Sequence, residues 1–414
     1  MTERLVIIGG GMAATRLVGN LTDLAPERYD ITLLGEEPQL PYNRVLLSSF
    51  LAREIAEDDL ELKPKTWWHD RGVDVIGGAR ATAIDTGKQT VHVQSRPAIS
   101  YDRLVLATGS EPVQLPLPGV DLPGVLTFRN HDDVATMLVG AECGKRAVVI
   151  GGGLLGLEAA YGLSKAVLDV TVVHLMDRLM ERQLDERGAA MLKDALEARG
   201  ISVLLKAQST AIDGDGRAEQ LRLADGRKLP ADLVVMAAGI RPRVELARDA
   251  GLAVDRGIVV DDHMRTSAEN VYALGECAEH RGRCYGLVEP AYDQAAVLAA
   301  NLDGHTATYT GSLLSTNLKV SGVGVFSAGD FLGGDGAEEI IFSDPEQGSY
   351  RKAILRDGQL VGAVLFGDIA DGLWYLELIQ SGAPVRTIRD GLILGRAYCA
   401  ETDVADAAAR VEAA

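Results

Sequence analysis

Two copies of one glycine-rich turn constrain the fold of this chain more than any other feature. Each copy follows a run of β-branched residues and leads into helix-forming residues. The copies read Val6-Ile7-Ile8-Gly9-Gly10-Gly11-Met12-Ala13-Ala14 and Val148-Val149-Ile150-Gly151-Gly152-Gly153-Leu154-Leu155-Gly156. Each matches the pattern G-x-G-x-x-G/A, whose small residues allow a tight turn and bring a pyrophosphate to a helix N-terminus. Two copies a domain apart predict two bound dinucleotides, naturally FAD and NAD(P)H.

Composition excludes several other classes of protein. The chain has 414 residues, enough for two or three domains, and its 47% apolar content is that of a globular protein. Its net charge of −18 disfavours nucleic acid and anionic membranes as partners, because both would be repelled. We expect no signal peptide, because the first strand begins near Arg4, and no membrane helix. The four cysteines are far apart, which is typical of a reducing compartment, so we expect a cytoplasmic protein without a membrane partner.

The order of strand and helix patterns predicts an α/β fold with an internal repeat. In the first half, strand signals at residues 4–8, 30–34, 91–94 and 104–109 surround a helix over 12–24. In the second half, strand signals at 147–150, 169–174, 201–205 and 233–238 surround a helix over 154–164. Both halves therefore predict Rossmann-like dinucleotide-binding domains. Four prolines between residues 111 and 124 indicate a boundary between them.

The remaining sequence carries no third glycine fingerprint. A strand at residues 271–275 and a helix at 292–302 follow the second repeat. Strand signals then occur at 318–325, 350–355 and 360–366, with a helix near 373–381. This order predicts a small C-terminal α+β domain, followed by an alanine-rich, acidic tail over 400–414.

Residues at the end of the second strand bind the adenosine ribose of a dinucleotide and distinguish a 2′-hydroxyl from a 2′-phosphate. An acid is expected there, about 20 residues past the glycines, to accept a hydrogen bond from a ribose hydroxyl. Glu36 holds this position in the first copy, with Glu37 beside it; alternatively both are solvated loop acids. In the second copy His174 replaces the acid, and Arg178 follows it. Either Arg178 pairs with a 2′-phosphate or His174 donates to the ribose, so NADH and NADPH both remain open, with NADH favoured.

The positions of the cysteines argue against thiol chemistry. A flavin disulphide reductase needs two cysteines soon after its first glycine motif, whereas no cysteine precedes Cys143. Cys277 and Cys284 follow a late strand and are expected to be small, partly buried thiols. The flavin is therefore expected to pass electrons on directly. Because the histidines are scattered and no C-x-x-C occurs, we predict no metal site.

Six segments carry a resemblance to a known family. They are Pro41-Tyr42-Asn43-Arg44-Val45-Leu46-Leu47-Ser48, Tyr101-Asp102-Arg103-Leu104-Val105-Leu106-Ala107-Thr108-Gly109, Val271-Tyr272-Ala273-Leu274-Gly275-Glu276-Cys277, Glu289-Pro290-Ala291-Tyr292-Asp293-Gln294-Ala295, Leu318-Lys319-Val320-Ser321-Gly322-Val323 and Tyr350-Arg351-Lys352. The chain resembles the two-dinucleotide-domain flavoprotein reductases. It is most similar to the flavoprotein part of assimilatory nitrite reductase large subunits and to NAD(P)H–rubredoxin and ferredoxin reductases. Its last part resembles the C-terminal domain of rubredoxin reductases.

The resemblance implies a glutathione-reductase-like arrangement of the predicted domains. An FAD-binding domain would comprise residues 1–114 and 243–312. An NAD(P)-binding domain would comprise residues 115–242. The C-terminal α+β domain would cover 313–399, leaving 400–414 as the tail.

The resemblance also implies roles for individual residues in FAD binding. Arg44 and Arg129 would meet FAD phosphates, and Glu276 would bond a ribityl hydroxyl where relatives have aspartate. Thr108 and Gly109 would let the chain pass close to the flavin. The other expected FAD contacts, besides the first glycine motif (Gly9, Gly10, Gly11, Met12, Ala13, Ala14) and Glu36, are Asn43, Ala81, Gly275, Val288 and Glu289.

Two residues are expected to act at the reacting rings. Glu158 would face the nicotinamide and orient the hydride donor, or would simply suit the helix dipole. Lys319 would reach the flavin and stabilise its reduced anionic form, or would be a surface strand lysine. The expected NAD(P)H contacts are Gly151, Gly153, Leu154, Leu155, Gly156, Glu158, His174, Arg178 and Gly239.

Ser49 separates this chain from several branches of the family. NADH oxidases and peroxidases of the family carry a redox cysteine there, and ferredoxin reductases carry a lysine. The nitrite reductase type carries serine, but it continues into iron–sulfur and sirohaem modules, for which this chain has no cysteine set. The resemblance thus implies the flavoprotein of a split system, a monomer or homodimer.

The expected activity is electron transfer from NAD(P)H through FAD to an iron–sulfur or haem acceptor protein. A ferredoxin, a rubredoxin or a nitrite or nitrate reductase would be that acceptor. Arg351, Lys352 and Arg356 would form a basic patch for it, or a solvated strand face. Two alternatives remain: a flavin NADH oxidase that reduces oxygen directly, and a non-catalytic nucleotide-binding subunit of a reductase.

Overall fold

The computed structural model describes residues 2–166, 169–320 and 322–399, and for residues 318–320 it describes the backbone alone. Within these residues the strands are β1 (Glu3–Ile8), β2 (Tyr29–Leu34), β3 (Val73–Ile76), β4 (Ala81–Asp85), β5 (Thr90–Val93), β6 (Ile99–Ser100), β7 (Arg103–Leu106), β8 (Ser110–Pro112), β9 (Val125–Thr127), β10 (Arg146–Ile150), β11 (Asp169–Val173), β12 (Ile201–Leu204), β13 (Ser209–Asp213), β14 (Gln220–Leu223), β15 (Lys228–Pro230), β16 (Leu233–Met236), β17 (Ile240–Pro242), β18 (Ile258–Val260), β19 (Val271–Ala273), β20 (Ala278–His280), β21 (Arg283–Cys284), β22 (Ser315–Val320), β23 (Val323–Gly329), β24 (Glu338–Asp344), β25 (Ser349–Arg356) and β26 (Gln359–Phe366).

The α-helices connect these strands. They are α1 (Met12–Leu24), α2 (Leu47–Leu51), α3 (Lys65–Asp70), α4 (His131–Cys143), α5 (Leu154–Lys165), α6 (Glu186–Glu197), α7 (Glu245–Asp249), α8 (Val288–Leu302), α9 (Gly372–Ser381) and α10 (Arg389–Leu392). Short 3₁₀ turns occur at Arg44–Leu46, Glu57–Leu60, Gly275–Cys277 and Arg396–Tyr398. In the part of the chain that is described, no helix is long and apolar enough to cross a membrane.

The chain divides into two compact units. The first unit consists of Met1–Val113, Arg129–His131 and Gly239–Ser312. The second unit consists of Gln114–Phe128, Asp132–Ala238 and Leu313–Ala414, of which residues 167–168, 321 and 400–414 are outside the described part. The division into three domains that the sequence suggested stays a prediction.

The first unit is built on a parallel sheet with the strand order β19-β7-β1-β2-β3. Its central strand, β1, is buried from Leu5 to Ile8. This is the continuous apolar run expected of a parallel strand covered on both faces. Helix α1 crosses from β1 to β2 and buries Leu17, Val18 and Leu21, which share one helical face. The carboxyl ends of all five strands therefore open at one edge of this sheet.

Smaller sheets complete the first unit. Strands β4, β5 and β6 form an antiparallel meander, and β8 pairs antiparallel with β17. Strands β18 and β20 run parallel, and β21 returns antiparallel to β20.

The second unit repeats the parallel design and adds two antiparallel sheets, the smaller of which has the order β13-β14-β15. Its parallel sheet has the order β12-β11-β10-β16-β9, so that the glycine-linked strand β10 is again central. The C-terminal sheet is antiparallel with the order β22-β23-β26-β25-β24. Helix α9 buries Trp374 and Tyr375 in one core with Phe326 of that sheet. The predicted α/β fold with two dinucleotide-binding folds and a C-terminal sheet domain is confirmed.

Several elements differ from the sequence predictions, and helices α4 and α6 are among those that were not predicted. The predicted strand over residues 318–325 is a hairpin of β22 and β23, because Gly322 turns the chain with φ +82°. Helix α8 begins at Val288 instead of residue 292, since Pro290 lies in its first turn, where a missing N–H costs no hydrogen bond. Strand β24 was not predicted; it is an edge strand whose side chains are exposed or half-buried, so it has no apolar alternation.

Candidate functional site

The first glycine turn joins β1 to α1 at the carboxyl edge of the first unit's sheet. Gly9 has φ +121°, and a Cβ atom there would lie 2.1 Å from the carbonyl oxygen of Ala107. A Cβ atom on Gly11 would meet no atom of the described chain within 4 Å. Gly11 is also the N-cap of α1, and because glycine has no side chain, the helix is not capped from within. The open backbone and uncapped helix N-terminus form a cradle for an anionic pyrophosphate.

A chain of polar contacts links the residues expected at the phosphates and the ribityl group. Arg44 Nη1 donates to the backbone oxygen of Arg129 at 3.2 Å. The Arg129 guanidinium in turn pairs with Glu276. Ser110 Oγ donates to Glu276 Oε2 at 2.7 Å. The structure thus brings Arg44, Arg129 and Glu276 together, beside Gly109, whose Cβ position is 3.9 Å from Arg129 Nη2.

The turn that carries Glu276 is fixed by two other elements of the unit. The N–H of Gly275 donates to Gln294 Oε1 on α8 at 2.7 Å, and Gln294 is completely buried. A Cβ atom on Gly275 would lie 3.1 Å from the Cβ atom of Ala13 on α1. The first glycine turn and the Glu276 turn are therefore neighbours. Thr108 is held here too, since its Oγ1 donates to the backbone oxygen of Arg243 at 2.8 Å.

The two acids after β2 have different partners. Glu36 pairs with Arg243 at 2.7 Å and with Arg80 at 3.5 Å, and its side chain is about half exposed. Glu37 accepts from the Tyr42 hydroxyl at 2.6 Å and pairs with Arg44. Burial, together with the Glu37 carboxylate, raises the pKa of Tyr42 well above its usual range. Glu36 is thus the accessible acid, and Glu37 orients Arg44.

The remaining residues expected at FAD lie in the same unit. Asn43 caps a 3₁₀ turn, because its side chain accepts from the N–H of Val45. Ala81 opens β4, while Val288 and Glu289 form the first turn of α8. Taken together, the glycine cradle, the guanidinium groups of Arg44 and Arg129 and the carboxylates of Glu36 and Glu276 are the donors and acceptors that a dinucleotide requires. The first unit therefore fits FAD.

The second glycine turn repeats the geometry of the first. Gly151 has φ +130°, and a Cβ atom there would lie 2.2 Å from the carbonyl oxygen of Ala237. Gly156 permits close packing of helix and strand, since its Cβ position is 2.1 Å from the oxygen of Gly151. Gly153 is the N-cap of α5, which begins at Leu154 and Leu155, and a Cβ atom on Gly153 would again meet nothing within 4 Å among the described atoms. The second unit thus offers a second pyrophosphate cradle.

His174 lies directly after β11, where sequence reasoning expected it. Its Nδ1 accepts from the N–H of Gly152 at 3.0 Å, and its Nε2 lies 3.2 Å from Glu181 Oε2. Arg178 lies 3.3 Å from Asp177, and its side chain is 29% exposed. The sequence analysis did not identify Glu181.

The other residues expected at the nicotinamide are placed as follows. Glu158 lies on α5, half-buried, one turn past Gly153. Gly239 follows β16 and belongs to the first unit, where its carbonyl accepts from the N–H of Val113. Lys319 lies in β22 opposite Gly324, but its side chain is outside the described residues. The predicted roles of all these residues stay predictions.

No described feature favours thiol or metal chemistry. Cys277 is completely buried, and burial raises the pKa of its thiol. Burial, aided by Glu279, raises the pKa of Cys284 to about 11. In the described part of the chain, none of the four cysteines forms a disulphide bond. In the ranges that the structure covers, no group of three potential metal-ligating side chains is placed to hold an ion.

The predicted basic patch on the C-terminal sheet is wrong for Arg351 and Lys352, and so is the alternative of a solvated strand face. Arg356 is partly exposed and pairs with Asp330 at 3.1 Å. The Arg351 side chain is 10% exposed and pairs with Asp368 and Asp371. Lys352 is equally buried, between Glu339 at 3.1 Å and Asp185 at 3.7 Å. Both cations are neutralised inside the unit.

Sequence reasoning also missed residues that position the site. Gln294 lies within a segment that carries the family resemblance, and Ser110 directly follows Gly109. The sequence positions of both residues could therefore have identified them as site residues. Glu181 had no such signal, because it lies eight residues past Val173, where β11 ends.

Comparisons with known proteins agree with this geometry and with the predicted resemblance. Residues 3–295 match the pyridine nucleotide-disulphide oxidoreductase family, and residues 315–383 match the rubredoxin NAD+ reductase C-terminal domain. A nitrite reductase [NAD(P)H] of Bacillus subtilis is 46% identical over 92% of this chain and 48% of its own length. An assimilatory nitrate reductase electron transfer subunit of the same organism is 42% identical over 89% of this chain and 48% of its own.

A solved structure is also similar over nearly its whole length. The ferredoxin reductase for the CYP199A2 system from Rhodopseudomonas palustris has a TM-score of 0.84 and 29% identity, covering 92% of this chain and 97% of its own. By contrast, this chain spans about half the length of the two curated Bacillus relatives.

Proposed function

Because the chain belongs to the pyridine nucleotide-disulphide oxidoreductase family, we propose that it is an FAD-dependent NAD(P)H oxidoreductase that passes electrons to a protein acceptor. The observation that carries the proposal is the repetition of one pyrophosphate cradle in the two units. In both units the first glycine packs closely against a carbonyl oxygen. The Cβ position of Gly9 is 2.1 Å from the oxygen of Ala107, and that of Gly151 is 2.2 Å from the oxygen of Ala237. Two dinucleotides bound by one chain, one as a resident flavin and one as an exchanging nicotinamide, are what hydride transfer between them requires.

The residues of the first unit would hold FAD. The N–H groups at the start of α1 bind its pyrophosphate, with Arg44 oriented toward phosphate by Glu37. Glu36 would accept from the adenosine ribose, and Glu276, whose Oε2 accepts from Ser110, would accept from a ribityl hydroxyl. Bound FAD supplies the redox chemistry, since it accepts a hydride from NAD(P)H and gives up the two electrons one at a time.

The second unit would bind NAD(P)H at the start of α5. Glu158, on the same helix, is proposed to orient the nicotinamide for hydride transfer. Lys319 is proposed to place a positive charge beside the flavin ring and so to favour its reduced anionic form. Neither role needs a nucleophilic side chain, which agrees with the burial of Cys277.

The acceptor is proposed to be an iron–sulfur or haem protein. The two Bacillus relatives are named as a nitrite reductase and as an electron transfer subunit of nitrate reductase. The match to the rubredoxin NAD+ reductase C-terminal domain supports the same class of acceptor. We therefore propose a nitrite or nitrate reductase, a ferredoxin or a rubredoxin as the partner, and a cytoplasmic location, where the four cysteine thiols would stay reduced.

The experiment is an acceptor assay with the FAD-loaded protein. NADH or NADPH is supplied together with a ferredoxin or a rubredoxin under anaerobic conditions, and reduction of the iron–sulfur centre is followed by absorbance. The same protein is then supplied with NADH or NADPH and with oxygen as the sole acceptor, and oxygen consumption is measured. We expect rapid reduction of an iron–sulfur acceptor and slow use of oxygen. Oxygen consumption as fast as acceptor reduction would overturn the proposal in favour of an oxidase.

A further inference from the structure

We propose that Glu181 binds the adenosine ribose of the nicotinamide nucleotide and rejects a 2′-phosphate, which makes NADH the preferred donor. The inference rests on the proposed function, because it names the donor used at the second cradle. In most dinucleotide folds an acid at the end of the second strand performs this task. Here that position is occupied by His174, and the contacts of His174 lead to Glu181.

The His174 ring is hydrogen-bonded to the second glycine turn and packs against it. Its Nδ1 accepts from the N–H of Gly152 at 3.0 Å, and the ring is buried. A Cβ atom on Gly152 would lie 2.6 Å from the Cγ atom of the ring, so the imidazole packs directly on the turn. A ring held in this way supports the cradle and has one nitrogen left, Nε2.

That remaining nitrogen is directed at a carboxylate. Because Nδ1 accepts, the proton of the neutral ring is on Nε2, which donates to Glu181 Oε2 at 3.2 Å. His174 therefore orients Glu181. A carboxylate has two oxygens and about four acceptor positions, so Oε1 is the atom that we assign to the ribose hydroxyls. The Glu181 side chain is 27% exposed, enough for a ligand to reach it.

The chain that leads to Glu181 lies against the same turn. The N–H of Met180 donates to the carbonyl oxygen of Gly152 at 3.0 Å, and Leu179 Cδ2 lies 2.6 Å from the Cβ position of Gly152. Both backbone groups of Gly152 are thus bonded within the protein. Glu181 is brought to the carboxyl edge of the sheet, where the adenosine half of a dinucleotide binds, although it is distant from β11 in sequence.

The surroundings of Glu181 suit adenosine without a 2′-phosphate. Arg178, the cation that could pair with such a phosphate, lies 3.3 Å from the carboxylate of Asp177. A phosphate group would therefore meet two nearby acids and a cation whose charge is already balanced. Leu175 and Met176, which follow His174, are 63% and 46% exposed and offer an apolar surface of the kind that an adenine ring covers.

The test compares Glu181→Gln with the unmodified FAD-loaded protein. We expect kcat/KM for NADH to fall about tenfold or more in the variant, mainly through KM, because a charged hydrogen bond to the ribose is lost. The value for NADPH should stay the same or rise, so the preference for NADH shrinks. ADP-ribose and its 2′-phosphate cannot reduce the flavin, so their affinities, measured by calorimetry, report binding alone. The affinity for ADP-ribose should fall in the variant, and that for the 2′-phosphate should stay the same or rise.

A matched control removes one negative charge elsewhere in the second unit. Glu219→Gln changes an exposed acid beyond β13 and should leave both nucleotides unaffected. If Glu181 only supported the glycine turn, Glu181→Gln would weaken NADH and NADPH by the same factor, and the inference would be wrong. Equal use of NADH and NADPH by the unmodified protein would also overturn it.

The two proposals can fail separately. If neither nucleotide reduces the flavin but ADP-ribose binds and depends on Glu181, the proposed function fails and only the assignment of the ribose to Glu181 stands. If NADH reduces the flavin but the variant keeps the original nucleotide preference, the proposed function stands and the inference fails.

Discussion

Gly151 lies so close to Ala237 that a Cβ atom at residue 151 would stand 2.2 Å from the carbonyl oxygen of Ala237. Gly9 and Ala107 have the same relationship in the other unit, at 2.1 Å. In each case the glycine turn after the central strand presses against the loop that follows a neighbouring strand of the same sheet. A substitution at either glycine can therefore disrupt one turn without affecting the other.

Alanine at these two glycines should separate the two nucleotides. Both glycines have positive φ, where a side chain is strained by about 1–3 kcal/mol even without a clash. We expect Gly151→Ala to lose ADP-ribose binding and NADH-driven reduction but to retain FAD. Gly9→Ala should lose FAD. The FAD-to-protein absorbance ratio and calorimetry measure these effects, with Gly87→Ala as a control at a turn without close backbone contacts. Loss of FAD in Gly151→Ala and retention in Gly9→Ala would contradict the assignment.

Gly11 provides a test that involves the ligand alone. A Cβ atom there would meet nothing within 4 Å in the described chain, so Gly11→Ala should lower the melting temperature of the FAD-free protein only by the small cost of alanine at an N-cap. It should weaken FAD binding by about tenfold or more, because the pyrophosphate needs to approach the backbone at this point. Fluorescence of released FAD on dilution measures the affinity. An unchanged affinity would mean that the pyrophosphate does not bind at Gly11.

Cys277 should be dispensable for electron transfer. Its Sγ lies 3.3 Å from the oxygen of Leu274, and burial raises the pKa of the thiol, so the nucleophilic thiolate is suppressed. We expect Cys277→Ala to keep turnover within about twofold. In the unmodified protein a thiol reagent should label exposed Cys143 rapidly and Cys277 only after unfolding. Loss of turnover in Cys277→Ala, with FAD still bound, would indicate a thiol step.

Asp232 should make the stability of the second unit depend on acid pH. Hydrogen bonds from Arg146 and from the N–H of Lys145 hold the pKa of Asp232 at about 2, below its ordinary value of about 3.9. A lowered folded-state pKa contributes stability above the unfolded pKa, and this contribution is lost as pH falls from about 4 through about 2. Because the pair is partly exposed, we expect about 1 kcal/mol at neutral pH.

Asp232→Asn measures this contribution by urea unfolding. The variant should be less stable than the unmodified protein at about pH 7, and the difference should largely disappear near pH 2. Asp194→Asn, at an exposed position on α6, is the control. A difference that is the same at both pH values would show that the charge of Asp232 is not the cause.

The sequence predicted the parallel sheets well because their signal is local and strong. The bounds of α1 agree with the prediction to the residue, since a glycine turn defines its start and one buried face runs through Leu17 and Leu21. Strand β10, an apolar strand directly before the second glycine turn, agrees with its predicted bounds to within one residue. The hairpin at Gly322 was read as one strand, because β-forming residues continue on both sides of a single glycine.

Side-chain partners were less predictable, because they depend on contacts between distant parts of the chain. Arg351 and Lys352 looked like surface cations until the fold placed Asp371 and Asp185 beside them. His174 was correctly placed at the end of β11. Its hydrogen bond with Gly152, however, accompanies the packing of residues 179–181 on the glycine turn. No periodicity or motif in the sequence indicates such a contact.

The most direct test of the account is anaerobic stopped-flow absorbance of the FAD-loaded protein mixed with NADH and, separately, with NADPH. We predict that NADH rapidly bleaches the visible flavin band, that NADPH does so more slowly, and that the band returns when an oxidised iron–sulfur acceptor is added. If neither nucleotide bleaches the band, the chain is a nucleotide-binding subunit without dehydrogenase activity, and the central claim is wrong.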